Sequence, residues 1–185
     1  MTIRDRLLAG AVDYVAEHGV GDLSLRPLAA ALGTSHRMLI YHFGSKEGLL
    51  VAVVREVERR QRETFAEIDV AGATPVEAMR RMWRRLADPS LWPHERLFFE
   101  MYGQALQGRP GTEGLLESIV DSWVETGTAV ADQLGIPVEV ARVQARLGVA
   151  VVRGLLLDLL ATGDRAGVDA ALEQFIAMSE AAYLA

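Results

Sequence analysis

His36, Arg37, Ile40 and Tyr41 stand at i, i+1, i+4 and i+5, a spacing that gathers them on one helix face, with Leu39 and Phe43 on the other. Imidazole, guanidinium, an aliphatic chain and a phenol together make a poor solvated surface. They suit the DNA major groove, where guanine offers O6 and N7 acceptors and thymine a methyl group; the plainer alternative is a short packing helix. Ser45 has the character of a helix cap, so Lys46, the only lysine of the chain, falls in the first turn of the next helix, at the positive end of its dipole. That placement is unfavourable by itself. It becomes favourable when a phosphate is held there by the first-turn N–H groups and the ammonium together.

The elements that must position these residues follow from local pattern. Leu25, Leu28, Ala29 and Leu32 repeat at helical spacing, Gly33 ends the run, and Thr34 or Ser35 can cap the next helix, which together is a helix-turn-helix signature. Ser24 is expected to cap the first of these helices by accepting from the Arg26 N–H, with Pro27 tolerated in its first turn. Before them a helix from about Thr2 to His18, with Ile3, Leu7, Leu8, Ala11, Val12 and Val15 on one side and Gly19 and Gly21 at its end, braces the reading helix.

Leu32-Gly33, Leu39, His42-Phe43 and Ser45-Lys46-Glu47 with Leu49-Leu50, together with the helix Leu7 to Gly19, resemble the TetR (tetracycline-repressor-like) family of transcriptional regulators. Two positions depart from it: Met38 stands where the family usually has Thr, and Ile40 where it has a phosphate-contacting Tyr. The resemblance implies that Arg26 can contact DNA, against the alternative of a solvated arginine; it also implies small-molecule sensing in the remainder of the chain and repression as the outcome. The expected DNA-binding set is Ser24, Arg26, Ser35, His36, Arg37, Ile40, Tyr41 and Lys46.

Composition narrows the classes further. A chain of 185 residues buries roughly 70% of its unfolded surface, enough for one fold or a small domain leaning on a larger one. The net charge of −6 is unevenly spread, with five basic and five acidic residues in 1–48 and fourteen against twenty in the rest. A neutral head binds DNA usefully when its cations share a face, as Arg26, Arg37 and Lys46 would. The absence of cysteine excludes disulfides, thiolate metal sites and a cysteine nucleophile. His18, His36, His42 and His94 lie on separate elements without ligand spacing, and His94 beside Glu95 is expected to be a solvated helix start. With no Glu-x-x-His pair, glycine-rich phosphate loop, nucleophile elbow or dinucleotide fingerprint, no catalytic residue, metal or cofactor is expected. No 18-residue stretch lacks charge and no signal peptide is recognisable, so a soluble, cytoplasmic protein without membrane partners is expected.

Further along, a helix from Lys46 to about Ile68 joins head to body; Arg55, Arg59, Arg60 and Arg62 interleave with Glu56, Glu58 and Glu63 as a solvated face. Val70-Ala71-Gly72-Ala73 is a break. Thr74-Pro75-Val76-Glu77 is a capping box that opens a helix to about Ala87, and another runs from His94 to Leu106. A seventh is expected from a Thr112 cap to Leu134, an eighth from Pro137, and a ninth after Asp164.

The architecture expected is all-α with about nine helices: a three-helix helix-turn-helix head at 1–48, joined by the long fourth helix to a ligand-binding and dimerisation body at 49–185. A homodimer is expected through the last two helices, using Leu147, Val151, Gly154, Leu155, Leu172 and Phe175, against the alternative of an ordinary intrachain core. A pocket for an apolar or aromatic effector is expected among Met79, Trp83, Phe98, Met101, Tyr102 and Trp123, which can equally be plain core. The function expected is a ligand-responsive repressor that binds a palindromic double-stranded operator as a homodimer. The alternative is a helical small-molecule-binding or interaction protein with a degenerate helix-turn-helix.

Overall fold

Local signals dictate most of the helix ends. The computed structural model describes residues 2–19, 23–66, 74–133 and 135–183, and these form nine α-helices and a single 3-10 turn at Pro89–Leu91. Helix α1 (Ile3–His18) opens on a capping box in which the Asp5 N–H donates to Thr2 Oγ1 and the Thr2 N–H to Asp5 Oδ2, and it closes at Gly19, whose φ of 71° favours glycine. Helices α2 (Leu25–Ala31) and α3 (His36–Phe43) follow, then α4 (Lys46–Ala66). Helix α5 (Pro75–Leu86) has the expected Thr74–Glu77 capping box. Next come α6 (Trp92–Leu106), α7 (Asp121–Gln133), α8 (Val138–Thr162) and α9 (Arg165–Tyr183). The expected continuation of α4 to Ile68, the break at 70–73, the Gly21 stop and Leu134 lie outside the described residues.

The chain divides into two compact units, residues 1–61 with 89–118, and residues 62–88 with 119–185. In the first, α6 packs on α1, and the core holds Val15, Leu28, Leu39, Val53, Leu97, Met101 and Leu115. Gly10 lets α1 approach the helix-turn-helix: a Cβ there would stand 2.5 Å from Leu32 Cδ2. Two polar groups join this core. His94 Nε2 lies 3.1 Å from the Val12 carbonyl, which can only accept, and Gln61 Nε2 donates to Glu95 Oε1 at 2.7 Å. His94 and Glu95 are therefore buried, 8% and 4% exposed, and not a solvated helix start. Helix α6 begins two residues earlier than expected, and Pro93 fits its first turn.

The second unit is built on α5, α7, α8 and α9, with Val124, Val152, Leu156, Leu159, Val168, Leu172 and Ile176 at its centre. A polar clamp ties α5 to α9: the Trp83 indole donates to Asp169 Oδ1 at 2.6 Å, Arg165 Nε reaches the same carboxylate at 2.8 Å, and Arg165 Nη1 donates to the Ala87 carbonyl.

Two expectations fail for physical reasons. Thr112 does not cap a helix; its hydroxyl donates backward to the Arg109 carbonyl at 2.6 Å, and Gly111 and Gly114 take φ of 85° and 73°, so Leu115 and Ile119 are buried by turns and α7 starts only at Asp121. The α4 charges are not one solvated face either. Glu56 pairs with Arg59 and Arg60, but Arg55 donates to the Gly114 carbonyl, the Arg62 guanidinium lies 5.9 Å from the centre of the Trp123 ring, and Glu58 is buried.

Candidate nucleic-acid interface

The outward face of α3 is held from behind. Leu39 is 1% exposed and anchors α3 in the core, and Phe43 carries the Arg4 guanidinium over its ring at 5.1 Å. Outward stand His36, Arg37 and Tyr41, the last 78% exposed, with Ile40 half-buried beside them. Tyr41 meets His42 edge-on at 5.1 Å, which fixes the phenol's base without covering its tip. Met38, 38% exposed at the third position of α3, shares this surface. Sequence reasoning noted it only as a departure from the family pattern. The signal that could have found it is its place in the first turn of α3, beside the outward residues.

Around that face lie hydroxyls and cations. Ser35 Oγ accepts from the Met38 N–H at 3.2 Å, which leaves the hydroxyl proton free to be donated. Ser24 occupies the cap position of α2 but makes no cap hydrogen bond, contrary to expectation, so its exposed hydroxyl is uncommitted. Arg26 and Arg37 are exposed. Among the described residues neither they nor Lys46 has an ion-pair partner.

The start of α4 is shaped by its neighbours. Ser45 Oγ accepts from the Gly48 N–H at 2.9 Å and so caps the helix, and a Cβ on Gly48 would overlap the Phe43 carbonyl oxygen. Lys46, half-buried, follows the cap. The 107–118 turns press on the same end: a Cβ on Gly111 would stand 2.7 Å from Glu47 Cβ and 3.1 Å from Ser45 Oγ. The Lys46 ammonium, without an ion-pair partner among the described residues, and the first-turn N–H groups that Ser45 leaves free can together hold an anion.

In the second unit an apolar cavity of about 100 Å³ is walled by α5, α7, α8 and α9 with Phe65 of α4. Met79 and Trp123 of the expected pocket residues line it. Trp83 does not; it is 2% exposed and committed to the Asp169 clamp. Phe98, Met101 and Tyr102 belong to the first unit, where Phe98 meets Phe99 edge-on at 5.1 Å and Tyr102 at a tilt at 5.5 Å. Among the described residues no group of three or more His, Asp or Glu could hold a metal ion, and no helix is long and apolar enough to cross a membrane.

The outer face of α8 exposes Val143 (67%), Leu147 (48%) and Leu157 (50%), with Ala150 and Gly154 between them at the same helical spacing; Met178 on α9 is 63% exposed. Of the expected dimer residues, Leu147 and Gly154 lie on this face and Val151 and Leu155 are half-buried. Leu172 and Phe175 are not on it: Leu172 is 2% exposed in the intrachain core and Phe175 lines the cavity.

Residues 7–53, from within α1 into the start of α4, match the model of the "Bacterial regulatory proteins, tetR family". The chain is 40% identical over 86 residues to the HTH-type transcriptional repressor AcnR of Corynebacterium efficiens, a stretch covering 46% of this chain and 42% of that protein. It is 43% identical over 49 residues to the HTH-type transcriptional regulatory protein RaaS of Mycobacterium tuberculosis, covering 26% and 23%. The matches thus span less than half the length of these relatives. The fold extends further: a transcriptional regulator from Rhodococcus superposes with a TM-score of 0.74 at 23% identity over 96% of this chain and 95% of that one. A TetR transcriptional regulator from Legionella pneumophila gives 0.68 at 19% identity over 97% of both chains. At such identities the likeness over the whole chain is one of fold, whereas the match over residues 7–53 is one of sequence, and it gives that segment the pattern of the bacterial regulatory proteins of the tetR family.

Proposed function

We propose that the protein is a transcriptional repressor that binds a palindromic operator as a homodimer and is released by a small apolar effector. The observation that carries the DNA-binding reading is the pairing of an outward His36–Arg37–Tyr41 face with an unneutralised Lys46 behind the Ser45 cap. His36, Arg37, Ile40 and Tyr41 read base edges, and Ser24, Arg26, Ser35 and Lys46 set the register on phosphates. Repression, named for AcnR, is carried here from that relative.

The head at 1–48 reads DNA and the body at 49–185 dimerises and senses. Dimerisation uses the α8 stripe Val143, Leu147, Ala150, Gly154 and Leu157, because a two-fold protein must reach half-sites roughly 34–36 Å apart or a multiple of that spacing. Gly154 supports this placement: a Cβ there would meet nothing within 4 Å among the described residues, so no packing against them calls for a glycine on that face. The effector occupies the Met79–Trp123 cavity. Phe65 in its wall and Lys46 are carried by one helix, α4, so a ligand that favours the released arrangement must itself bind less tightly to the operator complex, by the same factor.

Selecting genomic fragments with the purified full chain tests the central claim. A recovered palindrome is the expected result. Failure of any duplex to bind in a salt-dependent way would favour a helical small-molecule-binding protein with an inactive head.

A further inference from the structure

The cavity's wall restricts what can fill it. Among the described residues lining it there is no Asp, Glu, Lys, Arg or His. A carboxylate or ammonium entering it would lose hydration and gain no counter-charge from these residues, which is costly. The polar wall residues are few. Ser179 donates its hydroxyl proton to the Phe175 carbonyl at 3.0 Å. Gln144 has no hydrogen-bond partner among the described residues, and its amide offers both a donor and an acceptor. The space is small, about 100 Å³, and calls for a compact ligand of about one ring. Flat surfaces dominate one part of the wall, where Phe65 and Trp123 lie with ring centres 6.3 Å apart, and Met79 and Met82 can adapt to fill irregular gaps.

We infer that the ligand is a compact uncharged molecule of about a single ring, whose one hydrogen-bonding group pairs with the Gln144 amide. Gln144 is thus the specificity-determining residue. The inference rests on the proposed effector role of this cavity.

Calorimetric titration of the full chain with three probes tests it: p-cresol, its hydroxyl-free isostere p-xylene, and the anion p-toluate. Both neutral compounds should bind and p-toluate should not. Gln144→Leu should keep p-xylene binding while lowering the cresol-to-xylene affinity ratio about fivefold, the worth of one net hydrogen bond. If that variant does not fold, Gln144→Asn withdraws the amide from the same spot and should lower the ratio in the same direction. An unchanged ratio in the folded variant overturns the role of Gln144, and p-toluate binding as tightly as p-cresol, or binding by neither neutral probe, overturns the ligand class. Operator affinity measured with saturating p-cresol separates the two layers. If p-cresol binds with the expected selectivity yet leaves operator affinity unchanged, the effector role fails and the ligand class stands.

Discussion

Lys46→Ala is expected to weaken binding to every duplex while leaving the fold at least as stable as the parent. The ammonium follows the Ser45 cap, in the first turn of α4, without an ion-pair partner among the described residues. Each phosphate it neutralises contributes about 0.9 to the slope of log affinity against log salt, so a bound dimer that loses two such contacts should show a slope flatter by about 1.8. Between 50 and 200 mM salt, the parent's advantage over the variant should therefore shrink about twelvefold. Stability should move the other way, because removing a cation from a helix N-terminus relieves about 0.3–1 kcal/mol, less whatever the half-buried lysine stem contributes by packing. Fluorescence anisotropy with operator and scrambled duplexes at both salt concentrations, beside thermal melts, reads both effects. A deficit that does not change with salt, or one confined to the operator, would refute the phosphate role.

Gly111→Ala should cost the first unit about 1–2 kcal/mol from its φ of 85° alone and, by pushing on Glu47 Cβ and Ser45 Oγ, should also weaken DNA binding; parent-like affinity would show that these turns do not position α4. Gly154→Ala should stabilise the isolated helix by up to about 1 kcal/mol, since its Cβ meets nothing among the described residues, yet weaken the dimer in sedimentation; an unchanged dimer would move the interface off this stripe. Arg80 donates to both oxygens of Glu173 and holds its carboxyl below the ordinary 4.5, so the pair stabilises the fold above that pH and loses its effect as pH falls through the depressed folded value. The difference in melting temperature between the parent and Glu173→Gln should accordingly start to shrink as pH falls below about 4.5 and vanish once it is below the depressed folded value; a difference that persists at lower pH still would assign it to something other than this ionisation.

How much of this was visible in the sequence depends on the range of the interaction involved. Caps are local, and Thr74 with Glu77, Ser35 and Ser45 cap as their spacing predicts. Partners distant in sequence are a different matter. His94 is buried because the Val12 carbonyl, 82 residues away, meets its Nε2, and Trp83 is structural because Asp169, 86 residues away, takes its N–H. Periodicity says which side of a helix is apolar without saying what covers it. Leu172 and Phe175 share the apolar side of α9, but that side faces into the chain, whereas the exposed stripe on α8 is partly made of small residues that attract little notice in a sequence.

The cavity carries the same lesson one step further. Large and polarisable side chains identify where contact area is abundant, and Met79, Trp83, Phe98, Met101, Tyr102 and Trp123 do crowd the middle of the chain. Abundance of contact is equally the property of a filled core, which is what Phe98 and Met101, 5% and 0% exposed, make. Empty volume has the opposite signature, because it arises where side-chain volume is missing. Ala141, Ala145 and Gly148 stand at i, i+4 and i+7 on α8, Gly127 and Ala131 at i and i+4 on α7, and all five line the cavity. Helices that carry such residues can close on one another until something meets: a Cβ on Gly127 would stand 3.1 Å from Ala145 Cβ, so there they are already in contact. At Gly148 a Cβ would find only Met79 Cε at 3.8 Å, and room remains. Space therefore opens where a small-residue stripe on one helix faces flexible or flat side chains on others, and the residues that make it are those that a search for ligand-binding chemistry passes over.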